Sequence, residues 1–200
     1  MHVLRTTSFA FRNYPETMIE NFLEHIDACP TAHHVVSRAS ALLGSNGFTQ
    51  APLDAPFAIN HLERGFVSRG GTIIAWKNAK SISAQGIRIV GAHTDSPGLH
   101  IKPNPDTQTL QWQQLQVEVY GGPLLNSWLD RDLAIAGHVV LRDGTTSLFS
   151  SELPVARIPQ LAIHLDRDVN DKGLVLNRHQ HLNPIWATGA STVSFEHWLA

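Results

Sequence analysis

Cysteine is almost missing from this chain: Cys29 is the one thiol in 200 residues. An internal disulfide is therefore excluded, and the count suits a reducing compartment. Charge is scarce as well. Lys, Arg, Asp and Glu make up 16% of the residues, against about 25% in ordinary soluble chains. Such a deficit suits a chain that buries much of its surface against a partner or further polypeptide. The charges nearly cancel, at a net −2 with histidines neutral, so the basic stripe that a nucleic-acid interface requires is lacking. No apolar run approaches the roughly 18–20 residues of a membrane span. Residues 1–14 hold Arg5 and Arg12 but no continuous apolar core, so they do not read as a secretory signal. As a transit-type leader they are short and mixed. The expectation is a cytoplasmic protein with neither nucleic acid nor membrane as partner.

What is present is a hydrophobic fraction of 42%, enough for a packed core at a length that permits one or two domains. Met18, Ile19, Phe22, Leu23 and Ile26 recur at helical spacing and predict an amphipathic helix ending near Pro30. Thr31 is suited to cap a second helix, with Val35, Val36, Ala39, Leu42 and Leu43 as its apolar face and Gly44 as its stop. Gly47-Phe48 then leads into a proline-containing loop. Gly70-Gly71 opens a short apolar run over 72–76, residues 80–86 read as a turn, and residues 87–92 read as an interior strand buried on both faces. Helix, helix, strand, strand predicts an α/β domain.

After Pro97 the character changes. Pro103, Pro105 and Asp106 mark a linker. Leu115, Val117 and Val119 alternate until Gly121-Gly122-Pro123 breaks the run. Residues 134–141 predict a strand ended by Asp143-Gly144, a hairpin signal, with 147–149 as its return. Residues 158–165 form one more extended run. The predicted division is an α/β part over 1–98 and a mostly β part over 99–200, with the boundary near 98–106.

The chemistry concentrates in Gly91-Ala92-His93-Thr94-Asp95-Ser96-Pro97-Gly98-Leu99. Side chains two apart on an extended segment point to the same side, so His93 and Asp95 can act together at a strand end. One role for such a pair is a metal-binding imidazole with a carboxylate that fixes its tautomer. On spacing alone, a surface turn in which Asp95 caps the following backbone is the commoner arrangement.

Other clusters carry less. The run 166–171 opens like a calcium loop but has Asp171 and Asn177 where an EF-hand needs Gly and Glu, so a solvated turn is expected. His33-His34 on a helix point different ways, and His179-Gln180-His181 has no Cys or acidic partner close by; both read as structural or solvent-facing. Asp130 and Arg131, in Trp128-Leu129-Asp130-Arg131-Asp132-Leu133, suggest a structural pair or a turn. Cys29 has no His/Asn grouping of a thiol nucleophile and reads as a small buried residue. Gly121-Gly122-Pro123 lacks the Lys-Ser/Thr tail of a phosphate loop.

The 91–99 segment resembles the first zinc-ligand motif of the aspartyl aminopeptidase family of dinuclear-zinc exopeptidases. Val117-Glu118-Val119-Tyr120-Gly121-Gly122, the Trp128–Leu133 segment just quoted, and Arg157-Ile158-Pro159-Gln160-Leu161-Ala162-Ile163-His164-Leu165 agree with the family in order and spacing. Residues 22–48 resemble its opening helices, so the likeness runs from about residue 18 to about residue 185. The resemblance implies the start of a zinc-exopeptidase α/β sandwich in 1–98 and part of a β-rich dimerisation domain in 99–200. It also implies two zinc ions and the release of amino-terminal residues, acidic ones preferred, from peptides. His93 would be a zinc ligand and Asp95 would steer its ring. His164, otherwise an ordinary core or edge histidine, would reach into the active site of a neighbouring subunit to contact substrate. The other ligands and the general base belong to the second half of the family's pattern, and its members are roughly twice as long. The expectation is therefore an amino-terminal fragment of a homo-oligomeric aminopeptidase, inactive by itself. The alternatives are a non-catalytic self-association module and, more weakly, a calcium-binding protein.

Overall fold

The computed structural model describes residues 16–54, 63–77, 86–189 and 193–200. The leader-type reading of 1–14 and most of the turn expected at 80–86 fall outside them, as does part of the loop after Phe48. Helix α1 (Glu16–Asp27) follows the predicted periodicity. Its apolar stripe stays open to solvent: Met18, Ile19, Phe22, Leu23 and Ile26 are all exposed. Helix α2 (Ala32–Ser45) starts at Thr31, whose hydroxyl accepts a hydrogen bond from the His34 backbone N–H at 3.4 Å. It does not stop at Gly44. Asn46 closes it, its side-chain amide donating to the Leu42 carbonyl at 2.8 Å, and Gly47 takes the left-handed position beyond the cap at φ +77°.

Strands β1 (Thr49–Gln50), β2 (Arg64–Arg69) and β3 (Thr72–Lys77) form a sheet in that order, β1 parallel to β2 and β2 antiparallel to β3. Gly70-Gly71 is the tight turn between β2 and β3, with Gly70 at φ +55°. Helix α2 packs on all three strands. A Cβ on Gly71 would stand 2.9 Å from the Ala32 Cβ, so this hairpin tip can approach the start of α2 only as glycine.

The second sheet begins with β4 (Gly98–Thr109) and β5 (Trp112–Tyr120). The expected linker at Pro103 and Pro105 is instead an irregularity within β4, where the register shifts between Ile101 and Asp106 and Asn104 turns to φ +53°. Proline cannot donate to a ladder, and a bulge is where a strand tolerates it. After a short 3-10 helix (Leu125–Trp128) come β6 (Asp132–Leu133), β7 (Ala136–Val140), β8 (Thr146–Ser150) and β9 (Ala156–Arg157). Helix α3 (Val169–Lys172), β10 (Ile185–Thr188) and α4 (Phe195–Leu199) complete the described order. The sheet order is β4-β5-β10-β9-β6, with β7 and β8 a separate hairpin closed at Asp143-Gly144, as predicted.

The core of this part is Val117, Leu129, Ile158 and Leu182, with Leu99, Ile101 and Trp128 packed against it. Alternation along β5 sends Leu115 and Val117 inward, 1% and 2% exposed. A second contact layer is aromatic: Trp186 meets Phe195 and Trp198 edge-on, and Phe149 meets Trp198 edge-on. Helix α4 is tied to β4 by the Phe195 backbone N–H, which donates to the Asp106 carboxylate at 3.1 Å. Helix α2 also touches β7, where the rings of His33 and His138 stack with centroids 4.4 Å apart. Partial burial, then the His138 charge, holds the His33 pKa below its usual value.

Several expectations need correction. Residues 87–92 join no sheet among the described residues and are exposed; Val90 is 96% accessible. Their composition codes for burial, but a strand needs neighbours for its backbone groups. The run 158–165 is not continuous either. Ile158 forms an isolated bridge to Leu129, Pro159 follows, and 163–165 are a turn, with the Leu165 N–H bonded to the Ala162 carbonyl. Asp130 and Arg131 do not pair. Arg157 takes both neighbouring carboxylates, Asp132 at 2.7 Å and Asp130 at 3.6 Å, while Arg131 leans on the Ser127 carbonyl. Cys29 is half-buried, its Sγ 3.8 Å from His25 Nδ1.

The contrast between the two kinds of apolar residue is testable. Ile158→Ala should destabilise the chain by about 2–5 kcal/mol, and Val90→Ala by under about 0.5 kcal/mol, in urea unfolding followed by circular dichroism. Equal costs at the two positions would contradict this assignment of the core.

Candidate functional site

His93, Thr94 and Asp95 lie where the three-stranded sheet and the five-stranded sheet meet. Each side of the junction holds one residue. On one side, the Thr94 hydroxyl donates to the Gly71 carbonyl at the β2–β3 turn, at 2.6 Å. On the other, the Tyr120 hydroxyl at the end of β5 donates to Asp95 Oδ2 at 2.7 Å. Pro97 favours an extended conformation in the residue before it and leads into β4, whose first residue, Gly98, lies directly opposite Tyr120. Gly121 adopts φ +71° with Pro97 so close that a Cβ would meet it at 3.3–3.4 Å. The close approach brings the end of β5 against the loop that carries Asp95.

The imidazole is oriented by Asp95. His93 Nδ1 is 3.0 Å from Asp95 Oδ1. The Asp95 carboxyl is held below the usual carboxylate range, first by the Tyr120 hydroxyl and then by His93. Conversely, the carboxylate raises the Tyr120 phenol above its ordinary value. An ionised carboxylate only accepts hydrogen bonds, so Nδ1 carries the proton, and in the neutral ring Nε2 keeps its lone pair. The His93 side chain is 90% exposed, which leaves Nε2 open to a ligand. This is the arrangement in which metal-binding histidines are commonly held.

His164 is exposed in the 163–165 turn, and among the described residues no hydrogen bond or ion pair joins it to His93 or Asp95. No group of three or more His, Cys, Asp or Glu able to hold a metal ion occurs among the described residues. The other histidine clusters have structural partners: the Thr31 hydroxyl lies 2.8 Å from His34 Nδ1, and His181 Nδ1 accepts from the Asn177 backbone N–H at 3.1 Å. The calcium-like run is a turn leading into α3, where Lys172 pairs with Asp168. Thr94 and Tyr120 were not among the candidate residues read from sequence. The signal for Tyr120 was present in the alternation of β5, which places it on one face with Glu118, but its partner lies 25 residues away.

The family model for the aminopeptidase I zinc metalloproteases (M18) matches residues 25–197. The chain belongs to the M18 family. A probable M18 family aminopeptidase 2 of Streptomyces coelicolor is 48% identical over 174 residues, covering 86% of this chain and 40% of that protein. Among solved structures, prApe1 superposes with a TM-score of 0.77 at 28% identity, over 88% of this chain and 39% of the other. The mApe1 dodecamer of Saccharomyces cerevisiae superposes at 0.66 and 25% identity, over 84% and 47%. The chain thus spans about 40% of the length of the curated M18 relative from Streptomyces. The mixed helix-and-sheet architecture is that of the M18 fold over the shared part, and the matched residues include both the His93 segment and His164.

A titration tests the geometry around Asp95. Its lowered pKa means that the folded chain favours the carboxylate. That contribution to folding is full above the ordinary value of about 3.9 and is lost as pH falls through the lowered one. The Asp95 carboxyl carbon, followed by NMR, should titrate below about 3.9; a midpoint at or above it would contradict the two hydrogen bonds.

Proposed function

We propose that this chain contributes the His93 portion of a zinc aminopeptidase that removes amino-terminal residues, preferably acidic ones, from peptides. The observation that carries the reading is the His93–Asp95 pair within an M18 chain: an exposed ring with Nδ1 committed to a carboxylate and Nε2 available. In this reading His93 is a zinc ligand and Asp95 its positioning residue. His164 contacts substrate in the site of a neighbouring subunit. Its exposure and the assembly of the mApe1 relative as a dodecamer support a homo-oligomer built through the β-rich part, residues 99–200. Residues 1–98 then form the opening of the catalytic α/β domain. No helix of the described residues is long and apolar enough to cross a membrane, and the near-absence of cysteine supports a cytoplasmic setting.

The donor chemistry fits zinc. A neutral imidazole with its second nitrogen bonded to a carboxylate is a preferred zinc donor. A catalytic zinc takes three protein ligands as a rule, and among the described residues His93 is the one this reading assigns. The remaining ligands and the general base fall to the part of its relatives that this chain does not span. Zinc, when bound as a pair, supplies Lewis acidity toward the scissile carbonyl and an activated water at neutral pH. The residues in hand do something narrower: Asp95 holds the imidazole proton on Nδ1, and the β2–β3 turn and β5 hold the loop.

The 200-residue chain should bind zinc weakly and show negligible turnover of Asp- and Glu-aminoacyl substrates. A chimera in which it replaces the matching part of the Streptomyces coelicolor relative should hydrolyse them. His93→Ala in that chimera should remove activity, and Asp95→Asn should lower it by about 10–100-fold. Tight stoichiometric zinc with peptidase activity in the 200-residue chain, or an active His93→Ala chimera, would refute the reading.

A further inference from the structure

The ring of His93 has almost no packing around it, with 90% of its side chain exposed. Its orientation therefore depends on Asp95, and Asp95 in turn is a short side chain whose terminal torsion is soft. A carboxylate bonded through one oxygen can rotate and release the ring. In this chain the second oxygen is also taken: Tyr120 donates to Oδ2 at 2.7 Å while His93 Nδ1 lies 3.0 Å from Oδ1. The phenol is itself held. Its ring stacks on that of His100 with centroids 4.4 Å apart and planes 12° from parallel. The ladder explains the stack: Gly98 is opposite Tyr120 and His100 is opposite Glu118, so His100 and Tyr120 are diagonal neighbours on one face. At Gly98, directly across from Tyr120, a Cβ would stand 3.7 Å from the ring of Trp128.

We infer that Tyr120 is a positioning residue for the candidate metal ligand: its hydroxyl clamps Asp95 so that His93 keeps its proton on Nδ1 and presents Nε2. The inference rests on the zinc reading of His93 for its purpose, though not for its geometry. It extends the ligand's support from the adjacent loop to the β4–β5 hairpin. The face bearing His100 and Tyr120 becomes part of the site's scaffold, and the metal-facing atom is set by a hydrogen bond made on the second sheet.

The test is the tautomer of His93, read from two-bond proton–nitrogen correlations in the nitrogen-15-labelled 200-residue chain at a pH where the ring is neutral. The unaltered chain should show the Nδ1–H form as the major species. Tyr120→Phe keeps the ring and its stack but removes the hydroxyl, and should lower the ratio of Nδ1–H to Nε2–H by about fivefold. Amide shifts in β4 and β5 should stay unchanged. An unaltered tautomer ratio in Tyr120→Phe would overturn the inference. Should that variant fail to fold, the unaltered chain supplies the second measurement. The Tyr120 hydroxyl proton should exchange with solvent more slowly than that of free tyrosine, and equal rates would overturn the inference. Zinc sulfate added to the chimera with the Streptomyces coelicolor relative, which supplies the remaining ligands, separates this outcome from failure of the zinc reading. Zinc that shifts His93 Nε2 while Tyr120→Phe leaves the tautomer unchanged removes the role of Tyr120 and leaves the zinc reading standing. A Tyr120-dependent tautomer with no zinc effect on Nε2 sustains the clamp and removes its metal purpose.

Discussion

One carboxylate organises the region that matters most in this chain. Asp95 receives hydrogen bonds on both oxygens, from an imidazole two residues before it and from a phenol 25 residues after it. Short-range and long-range structure thus meet in one side chain. The loop that holds Asp95 is also fastened at Thr94 to the β2–β3 turn. The histidine ring projects into solvent, yet its direction is inherited from both sheets.

The packing around this junction is uneven. A small core of Val117, Leu129, Ile158 and Leu182 holds the β-rich part. Ten apolar residues are buried among those described, whereas twenty-five large hydrophobic ones are exposed. Isolated exposed hydrophobic residues are ordinary; a contiguous apolar face on α1 and an unpaired apolar segment at 87–90 are not. The low charge content seen in the sequence is the same property viewed in composition. Stability and site geometry therefore come from different places. The β-rich core carries the burial, and directed hydrogen bonds on half-exposed groups carry the orientation of His93.

Local rules were legible and tertiary ones were not. Thr31 capped its helix and Asp143-Gly144 turned its hairpin because each effect is completed within a few residues. The alternation of Leu115, Val117 and Val119 marked β5 because period two and burial on one face are properties of the strand itself. Residues 87–92 misled because apolar character specifies burial without naming a neighbour. Pro103 and Pro105 misled because a bulge and a linker share the same residues. The pairing of His93 with Asp95 was readable as an i, i+2 relation. The Tyr120 clamp and the Thr94–Gly71 bond were not, since both depend on how two sheets are set against each other.

The proposed zinc site depends on which nitrogen of His93 is free for a metal. The most direct measurement is a crystal of the chimera with the Streptomyces coelicolor relative, grown with zinc and examined by anomalous scattering at the zinc edge. The account predicts a zinc peak about 2.0–2.1 Å from Nε2 of His93, with Nδ1 still on Asp95 and Oδ2 still on Tyr120. A peak on Nδ1, or a fully occupied zinc pair that leaves His93 unligated, would contradict it.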